Sequence, residues 1–302
     1  MKSFPNFIII GAPKSATTSL YYYLKEHPKI FMPKNKEPHF FSFEGQEIQF
    51  NGPGDEKITK KMIVTDFSEY TNLFLGASRD QITGEASAMY LHSKTAPERI
   101  KEINPDVKLI AILRNPVDRA YSSFNHLKRD AREPEKDFIT ALHMEDERKK
   151  KNWMPIWYYR EMGLYSDQLN QYFKFFNREQ IHIFIYEEII SQIQTFVKEL
   201  YEWLGVDADF NPTLDSKFNI SGKPKSQRLH TFFRGKNNFK TLLKPFINEK
   251  ARKSIQNWLI NQNLKTPPPL STKQRKTAYA YFEKDIQSLE HLLQKDFTIW
   301  KP

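Results

Sequence analysis

One basic side chain and four hydroxyls lie close together near the start of the sequence. In FIIIGAPKSATTSLYYYL, residues 7–24, Lys14 is followed by Ser15, Thr17, Thr18 and Ser19. A lysine supplies a full positive charge, and each hydroxyl supplies a hydrogen-bond donor. A helix that only needs a cap requires a single serine or threonine. The group therefore predicts an anion site, and phosphate is the anion that it favours.

The surrounding pattern places these side chains between a strand and a helix. Residues 7–10 form a short apolar run typical of a buried strand, and an apolar pattern of helical spacing begins at Leu20. Such a loop offers unpaired backbone N–H groups and the positive end of the helix dipole to an anion. It is not the nucleotide P-loop G-x-x-x-x-G-K-[ST], because two residues separate Gly11 from Lys14 and the loop contains no Gly-Lys pair.

A second cation follows the second apolar run, KLIAIL, at residues 108–113. Arg114 comes directly after it, and Asn115-Pro116 predicts the start of a long helix that carries Ser122 about two turns further on. Nucleoside-triphosphate enzymes usually place an acidic magnesium ligand at this position, whereas arginine offers a charged fork for phosphate oxygens. A surface ion pair between Arg114 and Asp118 is the alternative. With the first loop also present, the sequence predicts two phosphate sites and no metal site.

The composition narrows the class of protein. The chain has 302 residues, a formal net charge of +10, 39% hydrophobic residues and no cysteine. The charge favours an anionic partner, and the absence of cysteine excludes disulfides and thiolate metal sites. The apolar run of residues 4–10 is too short for a signal peptide or a membrane span. We expect one α/β domain over residues 1–302, in the cytoplasm, with neither a membrane nor a nucleic acid as partner.

Four groups of residues, in order along the chain, resemble the sulfotransferases that use 3′-phosphoadenosine 5′-phosphosulfate (PAPS). The first resembles their 5′-phosphosulfate loop and the second resembles the acceptor segment of the branch that includes heparan sulfate sulfotransferases. The third resembles their 3′-phosphate motif, and the fourth resembles the usual C-terminal end of that branch. The segments are GAPKSATTSL, KNKEPHFF, LRNPVDRAYSSF and the stretch from PPPLS through YFEKDIQSLEHLL to DFTIW.

The resemblance implies a P-loop-like, three-layer α/β fold with a central parallel sheet flanked by helices. It also implies that PAPS is the sulfuryl donor and adenosine 3′,5′-bisphosphate (PAP) the product, without a metal. Lys14 would contact the sulfonate and the bridging oxygen. The residues implied to bind the nucleotide are Lys14, Ser15, Ala16, Thr17, Thr18 and Ser19 in the first loop, Arg114 and Ser122 in the 3′-phosphate motif, and Lys225 and Arg228 in a basic loop within 215–240.

The acceptor segment implies the catalytic groups. Glu37 is expected to be the general base, with His39 beside it, and we expect the neighbouring phenylalanines to raise the pKa of Glu37 by desolvation. An ion pair with Lys34 or Lys36 is the alternative for Glu37, and a packed core imidazole is the alternative for His39. The chain departs from the branch at Gly84-Glu-Ala-Ser87, where Ala86 replaces a common lysine. Glu85 is then either an acceptor-site residue or a buried pairing partner.

The predicted function is sulfuryl transfer to a hydroxyl, or alternatively an amine, of a carbohydrate or a specialised metabolite. Two other functions stay open: an ATP-dependent phosphotransferase, and a polyanion-binding protein without catalysis. Residues 44–61, expected as a surface loop, and residues 145–162 are candidates for the acceptor pocket. The charged stretch 145–151 is expected to be a solvated helix face, and the aromatic residues that follow it pack cores as readily as they stack on sugars.

Overall fold

A five-stranded parallel sheet forms the centre of the molecule. The structure, a computed structural model, describes residues 4–213, 223–224 and 264–302. The strands of the sheet are β1 (Phe7–Gly11), β2 (Ile30–Phe31), β3 (Ile82–Ala86), β4 (Lys108–Leu113) and β5 (Ile181–Ile185). They lie in the order β2-β3-β1-β4-β5, and every pair is parallel. Two short strands, β6 (Lys223–Pro224) and β7 (Leu264–Lys265), pair antiparallel with each other.

Helices connect and cover these strands. They are α1 (Thr17–Glu26), α2 (Phe40–Phe43), α3 (Asp55–Met62), α4 (Phe67–Asn72), α5 (Ala96–Ile103), α6 (Pro116–Arg129), α7 (Phe138–His143), α8 (Glu145–Lys150), α9 (Tyr165–Phe173), α10 (Tyr186–Ile189), α11 (Ile193–Leu204), α12 (Thr272–Tyr279) and α13 (Glu283–Leu293). Within the described ranges, none of them is both long and apolar enough to cross a lipid bilayer.

Two cores lie on opposite faces of the sheet because side chains alternate along a strand. Ile8 and Ile10 of β1 pack on one face with residues of α6, α9 and α13. Phe7 and Ile9 pack on the other face with residues of α1 and α11. Helices therefore cover both faces, as the sequence predicted for a three-layer α/β fold. Buried parallel strands of this kind read as continuous apolar runs, which explains why β1 and β4 were recognisable.

The strand order fixes where a ligand can bind. After β1 the chain forms β2 and β3 on one side of β1, and it then passes β1 to form β4 and β5 on the other side. The direction in which strands are added to the sheet therefore reverses between β1 and β4. In open parallel sheets, ligands bind outside the carboxyl ends of the strands at such a switch point. Lys14 follows β1 and Arg114 follows β4. The two predicted phosphate sites therefore lie side by side at this point.

Three local expectations were wrong. The 44–61 segment is not all loop, because α3 begins at Asp55 within it. The pattern after the prolines at 267–269 predicts one final helix capped by Ser271 and Gln274. The capping box is present, but the helix is broken into α12 and α13 around Phe282. The stretch 145–151 is helical but not wholly solvated, since Arg148 is fully buried.

A buried ion pair explains the position of Arg148. Its guanidinium donates two hydrogen bonds to Glu133, at 3.1 and 2.6 Å, and both side chains are almost completely excluded from water. Tyr159 donates a third hydrogen bond to the same carboxylate. The guanidinium also lies over the rings of Trp157 and Tyr159. The charge pattern of α8 could not reveal this contact, because Glu133 lies in a loop before α7.

We predict that Glu133→Gln lowers the free energy of unfolding by about 3 to 5 kcal/mol, because it leaves the Arg148 charge buried without a counter-charge. Urea denaturation followed by circular dichroism measures the change. Glu147→Gln is the matched control. Glu147 lies on the same helix as Arg148 and forms an exposed ion pair with Lys150, so the change should have little effect on stability. Equal stability of the two variants would contradict the structural role of the buried pair.

Candidate active site

The loop after β1 has a tight, left-handed backbone. A Cβ atom at Gly11 would lie only 2.7 Å from the Cβ of Leu91, so only glycine fits where the strand ends. Lys14 and Ala16 then take φ angles of 71° and 64°. Of the seven non-glycine residues with positive φ in the described part of the chain, four are Lys14, Ala16, Glu37 and His39. Conformations of this kind concentrate at ligand sites, where the surrounding structure maintains them.

The first turn of α1 is open to an anion. Its N-cap, Ala16, provides no side-chain hydrogen bond, so the backbone N–H groups of the first turn have no side-chain cap. The predicted hydroxyls divide into two pairs. Thr17 and Thr18 line a cavity at this turn. Ser15 is fully buried beneath the loop, and the Ser19 hydroxyl hydrogen-bonds to Tyr23. The structure therefore presents two of the four predicted hydroxyls to the cavity.

Lys14 is a desolvated cation. Burial, together with the positive charge of Arg129, lowers the pKa of its ammonium to about 8. Within the described residues it forms no ion pair with a carboxylate, although the negative charges of Glu37 and Asp130 act on it from further away. A bound anion would restore the missing counter-charge, which is the behaviour expected of an anion-binding lysine.

Arg114 joins the two predicted phosphate segments. Its Nη1 donates a hydrogen bond of 2.9 Å to the carbonyl oxygen of Lys14, and its guanidinium lies 4.5 Å from the centre of the Tyr186 ring. Its Nε has no acceptor among the described residues. Arg114 is thus oriented by the protein but keeps unused donor capacity. Ser122 is half-buried on α6, and its contact with an anion stays a prediction.

Residues far apart in the sequence fix the corner that carries Arg114. The carboxylate of Glu187 accepts hydrogen bonds from the backbone N–H of Asn115, at 2.9 Å, and from Nε1 of Trp300, at 3.1 Å. The Asn115 side chain caps α6 and also donates to the Trp300 carbonyl oxygen, at 3.1 Å. The Tyr165 hydroxyl donates to the carbonyl oxygen of Arg114 at 2.9 Å. We call these residues the Asn115 corner.

The segment with Glu37 and His39 is attached to the end of β3. The Glu37 N–H donates to the carbonyl oxygen of Ala86 at 2.9 Å, and the His39 N–H donates to Oγ of Ser87 at 3.0 Å. These bonds hold both side chains at the same cavity as Lys14, Ala16, Thr17 and Thr18. The structure therefore brings the predicted catalytic residues and most of the predicted phosphosulfate loop together.

The predicted pKa shift of Glu37 is wrong in direction. Burial alone would raise its pKa, but the Lys36 ammonium, the His39 ring and Lys14 together lower it to about 2. Lys36 donates a hydrogen bond directly to the Glu37 carboxylate. The alternative considered from the sequence, an ion pair with Lys36, is therefore present. His39 is buried, which lowers its pKa to about 4 and leaves its ring neutral 3.8 Å from the Glu37 carboxylate.

Glu85 is a buried pairing partner and does not line the cavity. Its carboxylate is fully buried and accepts hydrogen bonds from Tyr70, at 2.8 Å, and Tyr90, at 3.1 Å. Burial raises its pKa to about 7. Ala86, which stands where the resembled branch has a lysine, is also buried. The described residue that brings a cation to Glu37 is instead its neighbour Lys36.

The cavity has a volume of about 400 Å³ and includes polar groups that sequence reasoning missed. These are His126, Asp130 and Arg132 from the end of α6 and the following loop. No motif marks them, because their approach to the first loop depends on how α6 packs on the sheet. Within the described ranges, no three His, Asp or Glu side chains come together as a metal site. Lys225, Arg228 and the 215–240 loop lie outside the described residues, apart from β6.

Fold and site together define an α/β protein with two cationic side chains, Lys14 and Arg114, at the switch point of its sheet. A model described as the sulfotransferase family matches residues 5–211, more than two thirds of the sequence. The chain therefore belongs to the sulfotransferase family of enzymes, as its motifs predicted.

Several proteins to which the chain is similar agree with this assignment. The chain is similar to the crystal structure of a sulfotransferase from Alicyclobacillus acidocaldarius, with 32% identity, a TM-score of 0.77 and 99% of each chain covered. It is 26% identical to the membrane-associated sulfotransferase kil1 of Dictyostelium discoideum, covering 67% of this chain and 56% of that protein. It is 29% identical to bifunctional heparan sulfate N-deacetylase/N-sulfotransferase 4 of Mus musculus, covering 68% of this chain and 23% of that protein. The similarity thus spans only about half or a quarter of these two curated relatives.

We predict that affinity for PAP falls as pH rises above about 8. An anion binds the protonated form of Lys14, whose pKa without ligand is about 8 and rises when the anion binds. Affinity should therefore decline by up to about tenfold per pH unit between this pKa and that of the complex. Titration calorimetry at pH 7, 8 and 9 measures the trend. The Lys14→Met variant should bind more weakly and with little dependence on pH over this range; an identical pH profile in both proteins would contradict the assignment.

Proposed function

We propose that this chain transfers the sulfuryl group of PAPS to a hydroxyl, or alternatively an amine, of a carbohydrate or a specialised metabolite. The observation that carries the proposal is the 2.9 Å hydrogen bond between Arg114 and the Lys14 carbonyl oxygen. This hydrogen bond joins two cationic residues at the ends of neighbouring strands. In the proposal, each of them binds one end of a doubly phosphorylated nucleotide. Membership of the sulfotransferase family supports PAPS as the donor.

The residues at this corner fit the donor. The first turn of α1 lacks a side-chain cap, Lys14 lacks an ion-pair partner among the described residues, and Arg114 has an unused Nε. In the proposal, Lys14, Thr17 and Thr18 bind the phosphosulfate end, while Arg114 and Ser122 bind the 3′-phosphate. Ser15, Ser19, Lys225 and Arg228 remain predicted nucleotide contacts.

The reaction needs a base, an electrostatic clamp and a stabilised leaving group. PAPS supplies a sulfuryl group whose bond to the 5′-phosphate oxygen breaks, with both electrons leaving on PAP. The acceptor oxygen forms the new bond to sulfur, and its proton passes to the Glu37 carboxylate. Lys14 neutralises the charge that grows on the phosphate oxygen. The backbone N–H groups at the start of α1 stabilise the same phosphate.

Lys36 controls the basicity of Glu37 in this scheme. While Lys36 is paired with Glu37, the pKa of the carboxylate stays near 2 and the group is a weak base. Lys36 also lines the cavity. Movement of the Lys36 ammonium from Glu37 to the sulfuryl oxygens would raise the pKa of Glu37 once the donor is bound. The fully buried, neutral His39 packs beside Glu37 and limits the water around it.

An ATP-dependent phosphotransferase and a non-catalytic polyanion binder are the competing functions. The first requires magnesium for nucleotide binding and transfer. The second predicts binding that weakens steeply with salt and does not depend on Glu37. Calorimetry of PAP with and without magnesium separates the first from our proposal, since we expect equal affinity in both conditions. Release of PAP from PAPS in the presence of an acceptor shows catalysis, and it therefore distinguishes our proposal from a non-catalytic polyanion binder.

We predict that Arg114→Ala weakens PAP binding roughly 10- to 100-fold, because charge-assisted hydrogen bonds to a phosphate are lost. Binding of adenosine 5′-phosphate, which lacks the 3′-phosphate, should change much less. Calorimetry with both nucleotides measures the difference. Arg178→Ala, a change at a distant exposed arginine, is the control and should alter neither affinity. If Arg114→Ala weakened the binding of both nucleotides equally, Arg114 would not be the residue that recognises the 3′-phosphate.

We predict that Glu37→Gln slows sulfuryl transfer by about two to four orders of magnitude while PAP affinity stays within a fewfold range. The amide keeps the shape of the side chain but cannot accept the proton. Single-turnover rates, with PAP calorimetry in parallel, measure both quantities. Glu44→Gln, a nearby carboxylate that does not line the described cavity, is the control. A near-normal rate in Glu37→Gln would remove Glu37 from the role of base.

A further inference from the structure

Alternate backbone N–H groups attach residues 37–41 to the end of β3 and the segment after it. The Glu37 N–H donates to the Ala86 carbonyl oxygen at 2.9 Å, the His39 N–H to Oγ of Ser87 at 3.0 Å, and the Phe41 N–H to the Tyr90 hydroxyl at 3.2 Å. The first bond uses a backbone carbonyl, which every residue has. The third depends on one particular side chain, that of Tyr90.

The Tyr90 hydroxyl takes the place of a helix cap. Phe41 lies in the first turn of α2, where a backbone N–H has no acceptor within the helix. The N-cap residue of α2, His39, forms no side-chain cap hydrogen bond. Glu37 and His39 also have positive φ angles, of 66° and 51°, so contacts from outside the segment must hold it in this conformation. Tyr90 provides such a contact, although it does not line the cavity.

A buried carboxyl group orients the Tyr90 hydroxyl. Tyr90 and Tyr70 donate to the same oxygen of Glu85, at 3.1 and 2.8 Å. A tyrosine hydroxyl has one proton, so its donation to Glu85 leaves the oxygen lone pairs of Tyr90 available to the Phe41 N–H. All three side chains of this group, Glu85, Tyr70 and Tyr90, are fully buried. Glu85 therefore sets the direction of the hydrogen bond at Phe41.

Tyr70 extends the same support to the aromatic residues of α2. Its ring stacks on the ring of Phe40, with centroids 4.3 Å apart and planes inclined by 10°. It also makes an edge contact with the ring of Phe41, with centroids 5.2 Å apart. Both tyrosines that bind Glu85 are thus in contact with residues 40–41.

The burial of Glu85 is not explained by packing alone. Its partners in the structure are the two tyrosine hydroxyls and not a cation, and burial raises the pKa of its carboxyl to about 7. The negative charge of Glu37 acts in the same direction. An apolar side chain would fill this position without the cost of burying a carboxyl group. Buried carboxyl groups with shifted pKa values concentrate at functional sites.

We propose that Glu85 is a positioning residue for sulfuryl transfer, and that it acts through Tyr90 and Tyr70 on the backbone of residues 37–41. The inference rests on the proposed function, because it requires Glu37 to be the base. Glu85 itself contacts neither the donor nor the acceptor. It holds the Glu37 carboxylate at the cavity that Lys14 also lines, in the orientation that proton transfer needs. Loss of this support slows transfer and leaves the nucleotide site intact.

Tyr90→Phe tests the link between Glu85 and residues 37–41. The change removes one hydroxyl and keeps the ring, so the Phe41 N–H loses its acceptor. Tyr201→Phe is the matched control, since Tyr201 is also fully buried and its hydroxyl donates to the Tyr23 carbonyl oxygen on the other face of the sheet. We expect the Phe41 N–H to exchange with deuterium roughly 10- to 100-fold faster in Tyr90→Phe than in Tyr201→Phe, as measured by NMR. Equal exchange in the two variants would overturn the proposal.

The effect on the reaction is measured with water as the acceptor. Water attacks the sulfur of PAPS and gives a proton to Glu37, and the products are sulfate and PAP. We expect Tyr90→Phe to slow PAP release roughly 10- to 100-fold, with PAP affinity within about twofold of the unmodified protein. Tyr201→Phe should change neither quantity. In a Glu37→Gln background Tyr90→Phe should have no further effect, because the base is already absent; a further loss of the same size would contradict a role through Glu37.

Substitution of Glu85 provides a second test. The amide oxygen of Glu85→Gln can accept from both tyrosine hydroxyls, so this variant should release PAP at a rate within about threefold of the unmodified protein. Glu85→Leu accepts from neither and should be as slow as Tyr90→Phe. Equal rates in the Gln and Leu variants would show that the contacts of Glu85 do not position Glu37. Failure of the unmodified protein to bind PAP would instead contradict the sulfotransferase function itself.

Discussion

A half-buried lysine ammonium that contacts no carboxylate among the described residues is the constraint on which the site depends. Lys14 reaches this position because the chain turns through left-handed conformations at Lys14 and Ala16 directly after a buried strand. Both the desolvated charge and the strained backbone cost free energy in the absence of a ligand. A bound anion offsets the cost of the desolvated charge, and the packed sheet holds the strained backbone in place. The loop is therefore organised before its ligand arrives. Preorganisation of this kind is an effective way to stabilise a developing negative charge.

The parallel sheet turns two separate sequence motifs into one site. The carboxyl ends of β1 and β4 are neighbours at the switch point, so a lysine and an arginine that are 100 positions apart come into hydrogen-bond contact. The end of β3 brings the Glu37 segment to the same edge through backbone hydrogen bonds. The strand order thus brings together the two candidate phosphate-binding segments and positions the candidate base beside them. Another part of the cavity lining has a different origin, since it comes from α3 and from the segment after α8.

The sequence was sufficient for the parts that depend on short-range patterns. Continuous apolar runs marked β1 and β4, and the Asn115-Pro116 pair marked the start of α6, because these signals are local. It was not sufficient where the environment of a side chain decides its chemistry. The low pKa of Glu37 depends on the rotamer of Lys36, and the burial of Glu85 depends on two tyrosines from different segments. His126 and Arg132 carry no motif, so their approach to the cavity follows only from tertiary packing.

The Asn115 corner has a consequence for how the enzyme is made. Glu187 and Trp300 enter the chain long after Arg114, yet they hold the backbone that aims its guanidinium. During synthesis, all five strands of the central sheet can emerge from the ribosome and pair before residue 300 has been added. A fragment that ends ahead of α13 would therefore contain all five strands of the central sheet and still lack the two hydrogen bonds that Trp300 makes with Asn115 and Glu187. The corner that orients Arg114 is therefore completed late in synthesis, only after residue 300 has been added.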